Sequence, residues 1–388
     1  MILEILFGPR DCEPRLLPAE ELIAIPALPG ADARLIDQQA LTQRGLRRVG
    51  VRCNVPCKLN LFLEVVRRRD DGYHDLDTVM HAVSLTDSLD WFDADADDLS
   101  MSLDVSRADV LPYPDPAWNI PTDASNLVLR AMESLRRRCG GRGGAHVVLR
   151  KRIPSQAGLG GGSADAAAAL VLGSLAWQSA WEPEPLAEIA AGLGSDINFF
   201  LEGHAGVSWL ARCRGRGEQI APHALARPLW FVLVHPPMGC HTGSIFRALA
   251  DSQGLESPRK SSDTIVQALA APGELLASAR TYEEHVGRLL YNRLEGAAKL
   301  ATRRSVASSQ GFDWLDATER RMERYNPLGQ CMTGSGSARF CLCPDREQAE
   351  KIASDLRSFR DMRVYVVHSW ESPPISDQIE TVRRSVRE

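Results

Sequence analysis

Three stretches of this chain hold residue types that could do chemistry together. Lys58 sits in Val55-Pro56-Cys57-Lys58-Leu59-Asn60-Leu61, among apolar neighbours. A lysine so placed is costly unless it is paired or functional, or unless it snorkels from a strand end. Asp196 sits in Gly192-Leu193-Gly194-Ser195-Asp196, ahead of the apolar run Ile197–Leu201. That run reads as a strand, so the carboxylate is either a turn former or a base at a strand mouth. The third stretch runs from Pro154 to Asp165 and includes Gly158, Leu159, Gly160, Gly161, Gly162 and Ser163. Its glycines remove Cβ atoms that would hold a ligand away from the backbone. Ser163 reads as the N-cap of a helix over Ala164–Leu175. Backbone N–H groups and a helix dipole then converge on one point, an anion site suited to a nucleotide phosphate; the alternative is a tight turn between strand and helix.

The loop is not one of the common phosphate loops. No Gly-Lys pair occurs for a Walker A motif, and Ser163 stands where a dinucleotide fingerprint from Gly158 needs Gly or Ala. The His-Arg-Asp and Asp-Phe-Gly motifs of protein kinases are absent. A lysine, a carboxylate and a phosphate loop are what a small-molecule kinase needs: a group to take the hydroxyl proton, cations for the moving phosphoryl charge, and positioning. Another glycine-rich piece, Thr333–Ala338, is a turn by itself and could close over a triphosphate.

The elements that must hold these residues read as follows. Val51–Val66 is strand-rich, Asp70-Asp71-Gly72 is a turn, and Thr78–Val83 and Ser88–Phe92 are two further strands. Asn126–Arg137 is an amphipathic helix and Ala145–Ile153 a strand leading into the glycine loop. Leu186–Leu193 is helical, and Gly206–Leu210 and Leu229–Val234 are strands. Gly254–Asp263 is the clearest linker. Strands at Arg339–Cys343 and Met362–Val367 flank a helix over Arg346–Phe359, which suggests an α/β second domain. The expected division is an extension over 1–48, domains over 49–225 and 226–370, and a polar tail over 371–388.

The chain's 388 residues, 44% of them hydrophobic, can bury a large core. A net charge of −5 and a pI near 6.0 argue against a nucleic-acid partner. The clusters Arg67–Arg69 and Arg136–Arg138 are short and read as solvated surface. Nine scattered cysteines form no zinc pattern and fit a reducing cytoplasm; Cys341 and Cys343 read as buried thiols on one strand face. Met1–Phe7 lacks the basic start of a secretory leader, and no apolar run is long enough to span a membrane.

Three motifs, Pro56–Leu61, Pro154–Ala168 and Thr333–Ala338, resemble the GHMP kinase superfamily in content and order. Lys58–Leu63 followed by Asp71-Gly72-Tyr73-His74 narrows the resemblance to its members that phosphorylate 4-diphosphocytidyl-2-C-methyl-D-erythritol. The resemblance covers roughly residues 49–370. It implies an α+β fold: an N-terminal domain like the second domain of ribosomal protein S5, a ferredoxin-like C-terminal domain and a site in the cleft between them. It implies phosphoryl transfer from ATP, with Mg2+, to the tertiary 2-hydroxyl of a small cytidyl diphosphate substrate, by a monomer or homodimer. Asp196 would be the general base and Lys58 its cationic partner. Asn60 and Thr242 would face the substrate, Tyr73 and Phe246 would sandwich the cytosine, and His74 would read its edge. Lys151, Asn126 and Pro154 would lie near the nucleotide, with Gly158 to Ser163 around the phosphates and Ser163 touching the metal. The chain departs from the pattern at Ala164, at Asn198 and in Asn292-Arg293-Leu294-Glu295. A homoserine or mevalonate kinase, or a nucleotide-binding module without catalysis, are the competing readings.

Overall fold

The structure is a computed structural model. It describes residues 2–5 and 46–371, apart from 95–96, 107, 110, 112–115, 142, 178–182, 205–208, 253–258, 271–280, 310–312 and 360. Its first sheet has eight strands: β1 (Ile2–Ile5), β2 (Leu46–Arg68), β3 (His74–Ala94), β4 (Leu99–Asp104), β5 (Gly144–Arg150), β6 (Leu210–Gly215), β7 (Gln219–Pro222) and β9 (Tyr291–Asn292). The main path is β1-β2-β3-β5-β4, with β6 also on β3, β7 on β6 and β9 on β2. A second sheet is fully antiparallel, in the order β10 (Gly329–Met332), β11 (Arg339–Cys343), β8 (Trp230–His235), β12 (Arg363–His368).

The two short strands expected at Thr78–Val83 and Ser88–Phe92 are one strand, β3. Of the polar residues between them, Thr86 and Asp87 pair with Pro56 and Val55 of β2, and Ser84 sits in the bulge, so the ladder continues past it. The β2–β3 ribbon shifts register at Pro56/Cys57 and again at Asn60/Phe62, on either side of Lys58. Such bulges bend a strand and re-aim side chains, and Pro56 is tolerated there because a bulge needs no ladder donor.

Helices α1 (Leu127–Arg138), α2 (Gly161–Ala176), α3 (Pro183–Leu193) and α4 (Ile197–His204) belong with the first sheet. Helix α2 is buried from Ala164 to Ser174, held between α1, α4 and strands β2 and β3. Its small residues permit that approach: a Cβ at Gly173 would lie 2.8 Å from Leu135 and 2.9 Å from Trp91. The run Ile197–Leu201, expected as a strand, is the start of α4. A mostly apolar run of five residues cannot separate a buried strand from a buried helix, and here Ile197, Phe199, Phe200 and Leu201 pack in the core beside the helices. The Gly206–Leu210 strand lies mostly outside the described residues; β6 begins at Leu210.

In the second sheet, alternate residues face opposite ways. Phe231, Leu233, Phe340, Leu342 and Val367 meet Cys57, Leu59, Leu61 and Val83 of the first sheet. Val232, Val234, Cys341 and Cys343 meet α10 (Arg346–Arg357) through Ile352, Ala353 and Leu356. Strands β11 and β12 flank α10 as expected, but β8 runs antiparallel between them. That is a split βαβ unit in an α+β sheet, not the α/β arrangement the strand–helix–strand order suggested. The remaining helices are α5 (Thr242–Asp251), α6 (Asp263–Ala270), α7 (Tyr282–Leu289), α8 (Leu294–Ser309) and α9 (Trp314–Glu323). Most of the polar tail and residues 6–45 of the extension lie outside the described residues, while β1 pairs with Val51–Asn54 at the edge of the first sheet.

Candidate active site

Lys58 is buried, 3% exposed, and both glycine-rich loops enclose it. Its backbone N–H donates to Leu159 O at 3.0 Å. A Cβ on Gly160 would lie 3.1 Å from its Cγ, and one on Gly334 3.3 Å from its Nζ. The ammonium donates to Asn60 Oδ1 at 2.6 Å and lies 3.5 Å from Asp196 Oδ2. The lysine is therefore paired rather than snorkelling, and the carboxylate stands at the entrance to α4, not at a strand mouth.

The glycine loop joins β5 to α2. Gly160 is the N-cap at φ +71°, and no side chain caps the helix. Ser163 lies inside the first turn, so its expected capping role passes to Gly160. An open first turn leaves backbone N–H groups for an anion, which fits the phosphates of a nucleotide. Gly158, at φ +77°, is where the two loops touch: a Cβ there would overlap the Thr333 carbonyl oxygen. Thr333 Oγ1 donates to Gly158 O at 3.2 Å, and Ala338 N donates to Ala157 O at 3.1 Å. Thr333–Ala338 thus braces the start of the phosphate loop as the turn between β10 and β11. Among the described residues no cluster of three or more His, Cys, Asp or Glu could hold a metal ion.

Beneath the loop, Lys151 is buried between Asp87 and Asp165, with Asp165 Oδ2 at 2.7 Å. Burial acts against its charge, but the two carboxylates hold its pKa above the ordinary lysine value. Burial, reinforced by Asp87, pushes the Asp165 carboxyl well above the usual range. Asp87 also accepts from the backbone N–H groups of Arg152 and Ile153, at 2.6 and 2.9 Å. Sequence reading missed Asp87, which stands among polar residues between the two expected strands and carries no local signal. Asn126 is nearly buried and caps α1, accepting from Val128 N at 2.9 Å and donating to Pro121 O at 2.6 Å. Pro154 is buried at the start of the loop.

A cavity of about 750 Å³ opens from Lys58, Asp196 and Gly160 toward Tyr73, His74 and Phe246. The His74 and Phe246 rings are stacked, with centroids 4.5 Å apart, while the Tyr73 ring carries the Arg216 guanidinium at 4.8 Å. Among the described residues His74 Nε2 has no hydrogen-bond partner, and burial, helped by Arg68, lowers the imidazole pKa. Thr242 opens α5 at the cavity edge and shares a 2.9 Å hydrogen bond with Ser335. In the partly matching stretch Asn292–Glu295 the departure is Arg293 for Asp, while Asn292 keeps the pattern: its amide donates to Met332 O and Gly334 O and so fixes the third loop.

Residues 126–204 match the GHMP kinases N terminal domain, and residues 289–361 match the GHMP kinases C terminal family. The 4-diphosphocytidyl-2-C-methyl-D-erythritol kinase of Shouchella clausii (strain KSM-K16) is 33% identical over 313 residues, covering 80% of this chain and 92% of the relative. The chain belongs to the 4-diphosphocytidyl-2-C-methyl-D-erythritol kinase family. The member of this family from Pelotomaculum thermopropionicum (strain DSM 13744 / JCM 10971 / SI) is 34% identical, covering 77% of this chain and 91% of the relative. A crystal structure of a 4-(cytidine 5'-diphospho)-2C-methyl-D-erythritol kinase superposes with a TM-score of 0.60 at 29% identity, covering 82% of this chain and all of that one. The family's two-domain GHMP kinase architecture agrees with the two sheets described above.

Proposed function

We propose that this chain transfers the γ-phosphoryl group of ATP to the 2-hydroxyl of 4-diphosphocytidyl-2-C-methyl-D-erythritol, a step in non-mevalonate isoprenoid precursor synthesis. The observation that carries this reading is one cavity with the Lys58–Asp196 pair at the foot of the glycine loop and the Tyr73, His74 and Phe246 rings at its far end. Asp196 takes the proton of the attacking hydroxyl. The hydroxyl oxygen bonds to the γ-phosphorus as the bond to the ADP oxygen breaks. Lys58 offsets negative charge on the attacking oxygen, and Asn60 fixes the direction of its ammonium. The first-turn N–H groups of α2 and the loop from Gly158 to Gly162 receive the phosphates. Mg2+, when bound with the nucleotide, neutralises phosphate charge, and Ser163 is the hydroxyl on α2 assigned to it. Lys151 supports the loop from below, with Asn126 and Pro154 on the nucleotide side. Tyr73 and Phe246 flank the cytosine and His74 reads its edge, which requires the His74 ring to leave Phe246. Thr242 borders the sugar-phosphate path. The domain limits are kept at 49–225 and 226–370: β8 and β10 to β12 of the second sheet fall in the latter, while β9 and β1 reach the first sheet from outside 49–225, and the described cysteines, all free, suit a reducing cytoplasm.

The test is ATP-dependent ADP release with 4-diphosphocytidyl-2-C-methyl-D-erythritol, homoserine and mevalonate side by side. Turnover with the cytidyl compound alone is expected. Turnover with homoserine or mevalonate instead would discard the cytosine pocket, and silence with all three would leave a binding module.

A further inference from the structure

Arg216 sits at the tip of the β6–β7 hairpin, between Gly215 at φ +69° and Gly217 at φ +121°. These left-handed glycines make the tight tip from which Arg216 reaches the cavity. One side of the tip leans on the catalytic turn: a Cβ on Gly217 would lie 3.4 Å from Ser195 O, next to Asp196. The other reaches the aromatic end, where the Arg216 guanidinium covers the Tyr73 ring at 4.8 Å. Arg216 therefore spans the gap between the reacting end and the base end. Its guanidinium donates to Ala191 O at 3.2 Å. Among the described residues it has no carboxylate partner within ion-pair distance, and the same is true of Arg68 and Arg247, which line the same cavity. Arg68 and Arg247 are exposed, whereas Arg216 is half-buried like Arg52 and Arg212, which are paired with Asp90 and Asp77. Arg216, Arg68 and Arg247 thus place three guanidinium groups along a path that leads away from the Lys58–Asp196 pair, with Asp251 the one further carboxylate among the described lining residues.

We propose that Arg216 is a specificity-determining residue that binds the diphosphate of the cytidyl substrate with its N–H edge while its face holds Tyr73 in place for the base. The assignment rests on the cytidyl diphosphate reading given above. In that substrate the diphosphate lies between the base and the polyol, the same interval that Arg216 spans. A planar guanidinium can donate two parallel hydrogen bonds to phosphate oxygens and stack on a ring at once, which an ammonium cannot.

The experiment compares wild type, Arg216→Met and Arg216→Lys, using CDP and cytidine as competitors of the cytidyl substrate alongside steady-state kinetics. Methionine keeps an apolar stem over Tyr73 and removes the charge. Arg216→Met should raise KM for the cytidyl substrate and the inhibition constant of CDP by about 10- to 100-fold, the range of one or two charge-assisted hydrogen bonds. The inhibition constant of cytidine should move by less than about threefold, and KM for ATP should hold. Arg216→Lys should recover part of the CDP affinity. Equal losses for CDP and cytidine would reduce Arg216 to a support for Tyr73 and overturn the assignment, as would unchanged CDP binding in Arg216→Met. Wild-type protein that binds neither competitor would instead overturn the cytidyl reading, and the assignment with it.

Discussion

Asn60 is 1% exposed, and its amide is engaged by protein on both ends. Its Oδ1 accepts from Lys58 Nζ at 2.6 Å and from Gly334 N at 2.9 Å, and its Nδ2 donates to Thr78 Oγ1 at 2.8 Å. The residue expected to touch substrate thus also aims the Lys58 ammonium and ties it to the third loop. Asn60→Ala should lower kcat and also lower the melting temperature, because Gly334 N and the lysine lose a buried acceptor, at about 1–3 kcal/mol. Asp196→Ala differs in kind. Its side chain is 27% exposed, so little stability depends on it, whereas loss of the base should cut kcat by about 10²–10⁴-fold with ATP affinity retained. Equilibrium binding of ATP beside single-turnover rates checks both halves; an unchanged rate would remove Asp196 from its role. His74 makes a pH prediction. Its pKa lies below the ordinary 6.5 because of burial and the nearby Arg68. The imidazole therefore gains its proton at a lower pH than an ordinary histidine. KM for the cytidyl substrate should rise as pH falls, with the midpoint of the rise below 6.5. A rise centred on 6.5 would contradict this.

At the scale of elements, the two loops behave as one unit because their backbones touch at Gly158 and Thr333. Gly158→Ala adds a methyl into the Thr333 carbonyl and demands a left-handed φ of alanine, so it must pry the loops apart. KM for ATP should rise, while Gly162→Ala, with open space around its Cβ position, should do so far less; matched kinetics of the two variants check it. The Asp87–Lys151–Asp165 group sits under the same loop. Lys151→Met would leave two buried carboxylates facing each other and should cost about 3–5 kcal/mol, measurable by denaturant unfolding. These dependences explain what was legible in the sequence. Lys58, Asp196 and the glycine loop stood out because a buried charge and clustered glycines break local patterns. The split of β3, the strand assigned to α4 and the cap at Ser163 went astray because each turns on tertiary packing: Asp87 buried by Lys151, Phe199 and Phe200 enclosed by helices, and Gly160 taking the left-handed cap. Arg216 was silent because a turn arginine gains meaning only when the fold sets it on Tyr73.

Across the whole molecule, the site depends on holding two sheets in one orientation, and beside the apolar contacts between them a polar part of that joint passes through Ser369. Just after β12, its N–H donates to Leu229 O at 3.0 Å, and its Oγ accepts from Leu229 N at 2.8 Å. The same hydroxyl lies 2.8 Å from His81 Nε2 on β3, and Trp370 N donates to Ala82 O at 2.9 Å. His81 is 1% exposed, and burial pushes its pKa down to about 4. In the unfolded chain the imidazole titrates near 6.5, so between about 6.5 and 4 the unfolded state binds the proton and the folded state does not. Stability contributed by the neutral histidine is intact above 6.5 and is lost as pH falls toward 4. His235, in the second sheet and pushed down to about 3 by burial, acts in the same direction. Wild-type protein should therefore melt at a lower temperature at pH 5 than at pH 7. His81→Gln keeps a polar group for Ser369 but has no proton to gain. It should start from a lower melting temperature at pH 7 and lose less between pH 7 and pH 5. Parallel pH dependence in wild type and His81→Gln would show that the joint between the sheets is not the acid-sensitive part of the fold.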